Sequence, residues 1–219
     1  MLIDLIKSRY SLRNFDTEKI PTFDDIRDII EAGRFAPSFL NLQPWHFIII
    51  KDESTKTLLY NLSNGQSHVA QAPVIIACCA DLSVFDYEKY RAALENRQGM
   101  TEDVLQSFLN SKALNPALLS KEAVRQRGLE EVTYAIAYMT LAAQEKGIES
   151  CIIGGIGNEY TQINQDIYAV AKMELNLPKD VCLCALLLLG YPKEGIIPEN
   201  KERKPFEEVV SFEKYSVTN

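Results

Sequence analysis

Eight consecutive apolar residues, Cys182 to Leu189, constrain the fold more than any other stretch of the chain. The run is too short to cross a bilayer as a helix, which takes about 20 residues, and it reads as a buried strand. Trp45 to Lys51 and Pro73 to Ala80 read the same way, because β-branched apolar runs follow turn residues. Ser150 to Ile153 makes a shorter strand.

Helical segments alternate irregularly with these strands. Positions 2, 3, 5 and 6 are apolar and suit a short amphipathic helix before Arg9. Thr22 with Asp25 three residues on is a capping-box-like start for a helix that stops near Gly33. Ser54 to Leu62 and Asn164 to Leu175 are further helices. Leu129 to Lys146 carries Val132, Ala135, Ile136, Met139, Ala142 and Ala143 at helical spacing and stops at Gly147, a C-cap. Two of its faces bear small or apolar residues, so it is expected to be central. Asp86 to Arg127 is polar and helix-prone, with Tyr87, Tyr90, Met100, Phe108, Leu109 and Leu114 scattered along it, and reads as an excursion over the surface. The acidic tail Glu207 to Phe212 contains a strand-like Val209-Val210. There are no internal repeats and no Pro/Ser/Gly linker, so the 219 residues are expected to form one domain, 1–219.

Charge narrows the partners. With 23 Lys and Arg against 30 Asp and Glu, the net charge is −7, which argues against nucleic-acid and anionic-membrane surfaces. Asp4 interrupts the apolar region that a signal peptide needs. The five cysteines, Cys78, Cys79, Cys151, Cys182 and Cys184, are odd in number and sit in apolar or strand-like runs, the pattern of buried reduced thiols in a cytoplasmic protein. Neither the adjacent pair nor Cys182-x-Cys184 has zinc-knuckle spacing, and His46 and His68 are the only histidines, so no protein-held metal is expected.

Four constellations carry chemistry. In Arg9-Tyr10-Ser11-Leu12-Arg13, two guanidiniums and a hydroxyl at alternate positions of an extended segment face one side and can grip a phosphate. Taken alone they read more readily as solvated arginines. Pro37-Ser38-Phe39-Leu40-Asn41-Leu42-Gln43-Pro44-Trp45 is a proline-stiffened loop whose hydroxyl and amide groups match a neutral heteroaromatic edge, or equally a side-chain-capped turn. Trp45 itself is expected in the core. Ile153-Gly154-Gly155 ends a strand where backbone N–H groups can approach a flat ligand, or simply turn. A dinucleotide fingerprint does not fit, since Tyr160 stands at the third glycine position. Gly190-Tyr191-Pro192, followed by Lys201-Glu202-Arg203-Lys204-Pro205, places cations one residue apart in an acidic chain, and a solvated charge run is the plainer reading.

The order and spacing of the four together resemble the FMN-dependent nitroreductase family, from Leu2 to about Val210. Asn41-Leu42-Gln43-Pro44-Trp45 is the most specific element, and 86–129 lacks a match. The resemblance implies an α+β fold, a mixed central sheet surrounded by helices, in an interlocked homodimer with FMN in each of two interface clefts. It implies that Arg9, Ser11, Lys201 and Arg203 hold the phosphate and ribityl chain, with Tyr10 in the same binding segment, and that Arg13 lies towards the pyrimidine end of the ring. Asn64 would bond the pyrimidine edge. Pro37, Ser38, Phe39 and Asn41 would come from the partner subunit, and a backbone N–H at Gly154 or Gly155, beside Ile153, would point at the flavin N5.

No catalytic acid or nucleophile is then expected from the protein. NAD(P)H as co-substrate would pass a hydride to N5 and leave, and a small aromatic acceptor such as a nitroaromatic or quinone would take its place. Phe39-Leu40 stands where many members have small or polar residues, which implies a narrower and more apolar cleft. The 86–129 excursion would roof the pocket. Alternatives are a flavin-binding storage or sensing protein without turnover, and a reductive dehalogenase of iodotyrosine. The latter would need an added lid between Phe47 and Gln71, a segment too short to hold one.

Overall fold

A computed structural model describes residues 1–95, 97–197 and 201–216. Four strands, β1 (Trp45–Ile50), β2 (Val74–Asp81), β3 (Glu149–Ile153) and β4 (Val181–Gly190), form one sheet in the order β1-β2-β4-β3. Every pair in it is antiparallel, and the parallel component of the expected mixed sheet is the isolated bridge Ser11 to Ser150. The run Cys182 to Leu189 lies in a central strand with all ten residues buried. At Cys78/Cys79 the register shifts, so that β4 carries one extra residue, Cys184, a bulge that locally bends the strand.

Because side chains alternate across a strand, β2 and β4 feed two cores. One face gathers Ile75, Ala77, Leu183, Leu186 and Leu188 with Tyr10, Leu12 and Phe15 and with α3 (Glu53–Leu62), α4 (Ser67–Gln71) and α8 (Gln165–Glu174). The other gathers Val74, Ile76, Cys78, Leu187 and Leu189 with α2 (Phe23–Arg34) and α7 (Lys121–Glu145). Trp45 is half-buried against this second core. The five cysteines are free and buried.

The caps explain several helix starts. Thr22 Oγ1 accepts the Asp25 N–H at 3.1 Å and Asp52 accepts that of Thr55 at 2.9 Å. Helix α7 starts eight residues before the expected Leu129, because Ser120 Oγ accepts the Ala123 N–H at 3.0 Å and the following turns continue the helix. Residues 86–120 do not merely drape over the surface. They form α5 (Tyr87–Glu95), α6 (Glu102–Leu109) and a 3-10 turn at Pro116–Leu118, and Tyr90, Leu94, Leu105 and Leu109 make a third core with Leu42 and Phe85. The expected strand-like Val209-Val210 is corrected: Phe206–Val209 is a one-turn helix, α9, with Glu207 and Glu208 in its first turn after Pro205. Among the described residues this segment has no sheet neighbour, so β-propensity has nothing to pair with. Helix α1 (Leu2–Ser8) precedes the Arg9 segment.

Candidate functional site

The chain leaves α1 in extended conformation at Arg9 and is pinned along the sheet's end. Leu12 N–H donates to Ser150 O at 3.0 Å, Asp16 N–H to Tyr191 O at 2.9 Å and Lys193 N–H to Asn14 O at 3.0 Å. Tyr10, Leu12 and Phe15 are thereby buried in the first core while Arg9, Ser11 and Arg13 point the other way. The alternation expected from sequence is present. Tyr10's ring belongs to the core, and its hydroxyl is pushed up first by that burial and then by the nearby Glu149 carboxylate.

Two distant segments, one ahead of Leu12 and one at 201–203, bring cations together there. Lys201 donates to Lys7 O at 3.1 Å, and burial with the guanidiniums of Arg9 and Arg203 beside it holds its ammonium below the ordinary lysine value. Glu149, at the start of β3, feels both Arg9 and Lys201. Its carboxyl is nonetheless pushed up, first by burial, and its Oε2 is buried without a hydrogen-bond partner. Its other oxygen takes a long bond from Gln144 Nε2 at 3.4 Å. Next along β3, the Cys151 thiol is raised by burial, while Arg13, Arg9 and a hydrogen bond from Ser11 act to lower it. Arg13 also reaches His68, whose imidazole is lowered by burial and by that guanidinium.

At the far end of β3, a Cβ on Gly154 would meet nothing within 4 Å, and one on Gly155 only Gln66 Nε2 at 3.9 Å. The space in front of this backbone is open. Gln66 Nε2 donates to Ser63 O at 3.0 Å and to Gly155 O at 3.5 Å, so it ties the Asn64 loop to the glycine turn. Asn64 is exposed, left-handed at φ 57°, and accepts from Asn164 Nδ2 at 2.9 Å. Beside it Tyr60, Ile167 and Val170 help line a hollow of about 440 Å³.

The Pro37–Gln43 loop lies elsewhere, on the N-terminal half of α7. Phe39 N–H donates to Glu131 Oε2 at 2.8 Å, and Arg127 stacks over the Phe39 ring at 4.7 Å from its centroid. Glu131 is thirteen residues along α7 from Gln144, the neighbour of Glu149, on the order of 20 Å at the helical rise. Of the expected site residues, then, Arg9, Ser11, Arg13, Lys201 and Arg203 gather around β3, with Ile153, Gly154, Gly155 and Asn64 at its far end, while Pro37, Ser38, Phe39 and Asn41 sit apart.

Sequence reasoning missed Glu149, Gln66, His68 and Glu131. For Glu131 a signal existed, since it falls on the same helical stripe as Gly128, Val132, Ala135 and Ile136.

Comparison with known proteins bears on this arrangement. The nitroreductase family model matches residues 6–191. The chain belongs to the nitroreductase family. Curated relatives include an NADH dehydrogenase of Thermus thermophilus, 29% identical over 92% of this chain and 91% of that one. An oxygen-insensitive NADPH nitroreductase of Helicobacter acinonychis is 25% identical over 95% and 94%, and an iodotyrosine deiodinase of Thermotoga neapolitana 29% identical over 96% of each. The fold matches that of a family protein from Streptococcus pneumoniae at a TM-score of 0.76, with 24% identity over 97% of this chain and 100% of that one. It also matches an Exiguobacterium sibiricum protein solved in complex with FMN, at 0.73 and 24% identity over 97% of each.

The residues present fit the flavin mononucleotide that this family implies. A phosphate dianion calls for concentrated positive charge, and Arg9, Lys201 and Arg203 are held together here against their own repulsion in a chain of net charge −7. A planar ring calls for backbone free of side chains, and Gly154 and Gly155 border open space.

Proposed function

We propose that the protein is a cytoplasmic, NAD(P)H-dependent FMN oxidoreductase of nitroreductase type that reduces small aromatic acceptors. It works as a homodimer of single-domain chains. The observation that carries this is the convergence of Arg9, Ser11, Lys201 and Arg203, from two separate segments, along β3, the strand that leads from Glu149 to Gly154-Gly155. Bound FMN supplies the hydride chemistry between nicotinamide and acceptor.

The protein's own residues bind and tune. Arg9, Ser11, Lys201 and Arg203 hold the phosphate and ribityl chain by charge-assisted bonds. Arg13 sets a fixed cation where negative charge collects on reduction. Asn64 bonds the ring's polar edge, and the backbone at Gly154 and Gly155 lets the ring approach. Pro37, Ser38, Phe39 and Asn41 serve the cleft of the partner chain, which the separation along α7 supports. Exposed apolar side chains support the dimer as well, including Leu2 and Ile3 on α1, Tyr134 and Tyr138 on α7, and Ile152 on β3. The 86–120 helices roof the pocket.

Stopped-flow reduction of the flavin-loaded protein by NADH and NADPH, followed by turnover with nitroaromatics and quinones, tests this reading. Rapid bleaching and steady turnover are expected, and a flavin that neither nucleotide bleaches would identify a storage or sensing protein instead. The deiodinase relative brings an iodinated phenol into the panel. Between β1 and β2 this chain has only α3 and α4, whose Leu59, Leu62 and Val69 are in the core, so no added lid is available and that acceptor is expected to fail.

A further inference from the structure

Glu131 is 1% exposed, on the face of α7 that otherwise carries Gly128, Val132 and Ala135 into the core. A carboxylate at that depth is costly unless it is used. Its Oε2 accepts the N–H of Phe39, a residue 92 positions away, at 2.8 Å. The loop that begins there is unusual. Leu40, Asn41 and Gln43 all lie in the left-handed region, at φ 48°, 50° and 50°, and none of them is glycine.

Left-handed non-glycine backbone is disfavoured and persists only where the surroundings impose it, which happens most at ligand clamps. Inside the loop, Gln43 N–H donates to Ser38 Oγ at 3.1 Å, Asn41 N–H to Ser38 O at 3.0 Å and Leu42 N–H to Phe39 O at 3.1 Å. Those bonds form only once the loop has this shape. The restraint from outside is supplied by Leu42, buried against Phe85 and Tyr90, and by α7, through Glu131 on the Phe39 backbone and Arg127 over its ring. Arg127 is in turn held by Glu130 at 2.6 Å.

We propose that Glu131 is a positioning residue: its buried carboxylate fixes the Ser38–Gln43 loop in its left-handed conformation and thereby sets how tightly that loop closes over the flavin. This rests on the flavin reading given above. Glu131 touches neither flavin nor acceptor in this account and acts through Phe39. The effect belongs to binding, so FMN affinity and the KM for the acceptor respond while kcat at saturation changes little.

The test compares wild type with Glu131→Ala and Glu131→Gln as full chains, by FMN titration, by acceptor kinetics at saturating FMN, and by amide hydrogen exchange at Phe39. Alanine should weaken FMN binding by roughly tenfold to a hundredfold, the span of one lost charge-assisted hydrogen bond. It should also raise the acceptor KM and abolish protection of the Phe39 amide, while amides of β4 stay protected. Glutamine keeps a carbonyl acceptor and should restore affinity to within a few-fold of wild type. If the alanine variant does not fold, Glu131→Asp, one methylene short of Phe39, takes its place with the same expectation. A folded alanine or aspartate variant that binds FMN as wild type does would overturn the inference and leave the flavin reading intact, as would a glutamine variant as weak as alanine. A wild type that binds no FMN would overturn both, yet its Phe39 exchange would still report whether Glu131 holds the loop.

Discussion

Arg9, Ser11 and Arg13 share one side of an extended segment because Tyr10 and Leu12 are needed on the other, so a core requirement orients the polar groups. That much is legible in the alternation of the sequence. The family resemblance named Lys201 as a partner of Arg9, whereas Glu149, which reaches Arg9 only through the folded sheet end, has no signal in the sequence. The roles differ by position. Replacing Arg203 by Gln should weaken FMN binding without moving the flavin potential, because a phosphate contact stabilises both redox states alike. Replacing Arg13 by Gln should lower the two-electron potential by an amount on the order of 30 mV, as the reduced anion loses a counter-charge. Redox titration of both variants, reconstituted to saturation, checks this, and equal potentials would show that Arg13 has another role. Glu149 gives a pH signature. Its folded pKa lies above its ordinary value, so its contribution to stability is fully present below that value and is lost as pH rises through the raised one. Glu149→Gln should therefore gain urea resistance relative to wild type as pH goes from about 4 to about 8. A difference that shrinks with pH would contradict the assignment.

Among the elements, β1, β2, β4 and the second half of α7 were readable because their apolar periods are clean. The first half of α7 was not, since residues 121–127 lie on the protein's periphery and carry no buried stripe until Gly128, leaving only the Ser120 cap as a marker. Tyr90 and Leu105 look scattered in sequence and become a core only when α5 packs on α6, a tertiary fact. The end of β4 is tightly packed against rigid groups. A Cβ on Gly190 would lie 2.7 Å from the Phe15 ring and 2.8 Å from the Pro73 ring, both rigid groups. Gly190→Ala should cost about 1–3 kcal/mol of stability by overpacking, read as a lower urea midpoint. Because Phe15 anchors the arginine segment, FMN affinity should fall with it.

In the whole molecule, the arginine cluster and the Pro37–Gln43 loop sit apart, near residues thirteen positions apart on α7, and apolar side chains on α1, α7 and β3 are exposed. A two-chain assembly accounts for both features, since each cleft then takes its cations from one chain and its stiff loop from the other. The ordered array of motifs pointed to that assembly through family resemblance, whereas composition alone reached no further than an acidic globular chain. One measurement bears on this most directly: light scattering of the purified protein with simultaneous flavin absorbance, during dilution through the dissociation range. The account predicts a yellow particle of two chains with one FMN per chain, and flavin release that follows dissociation. A well-behaved monomer that keeps FMN tightly bound, or a colourless protein that FMN cannot reconstitute, would contradict it.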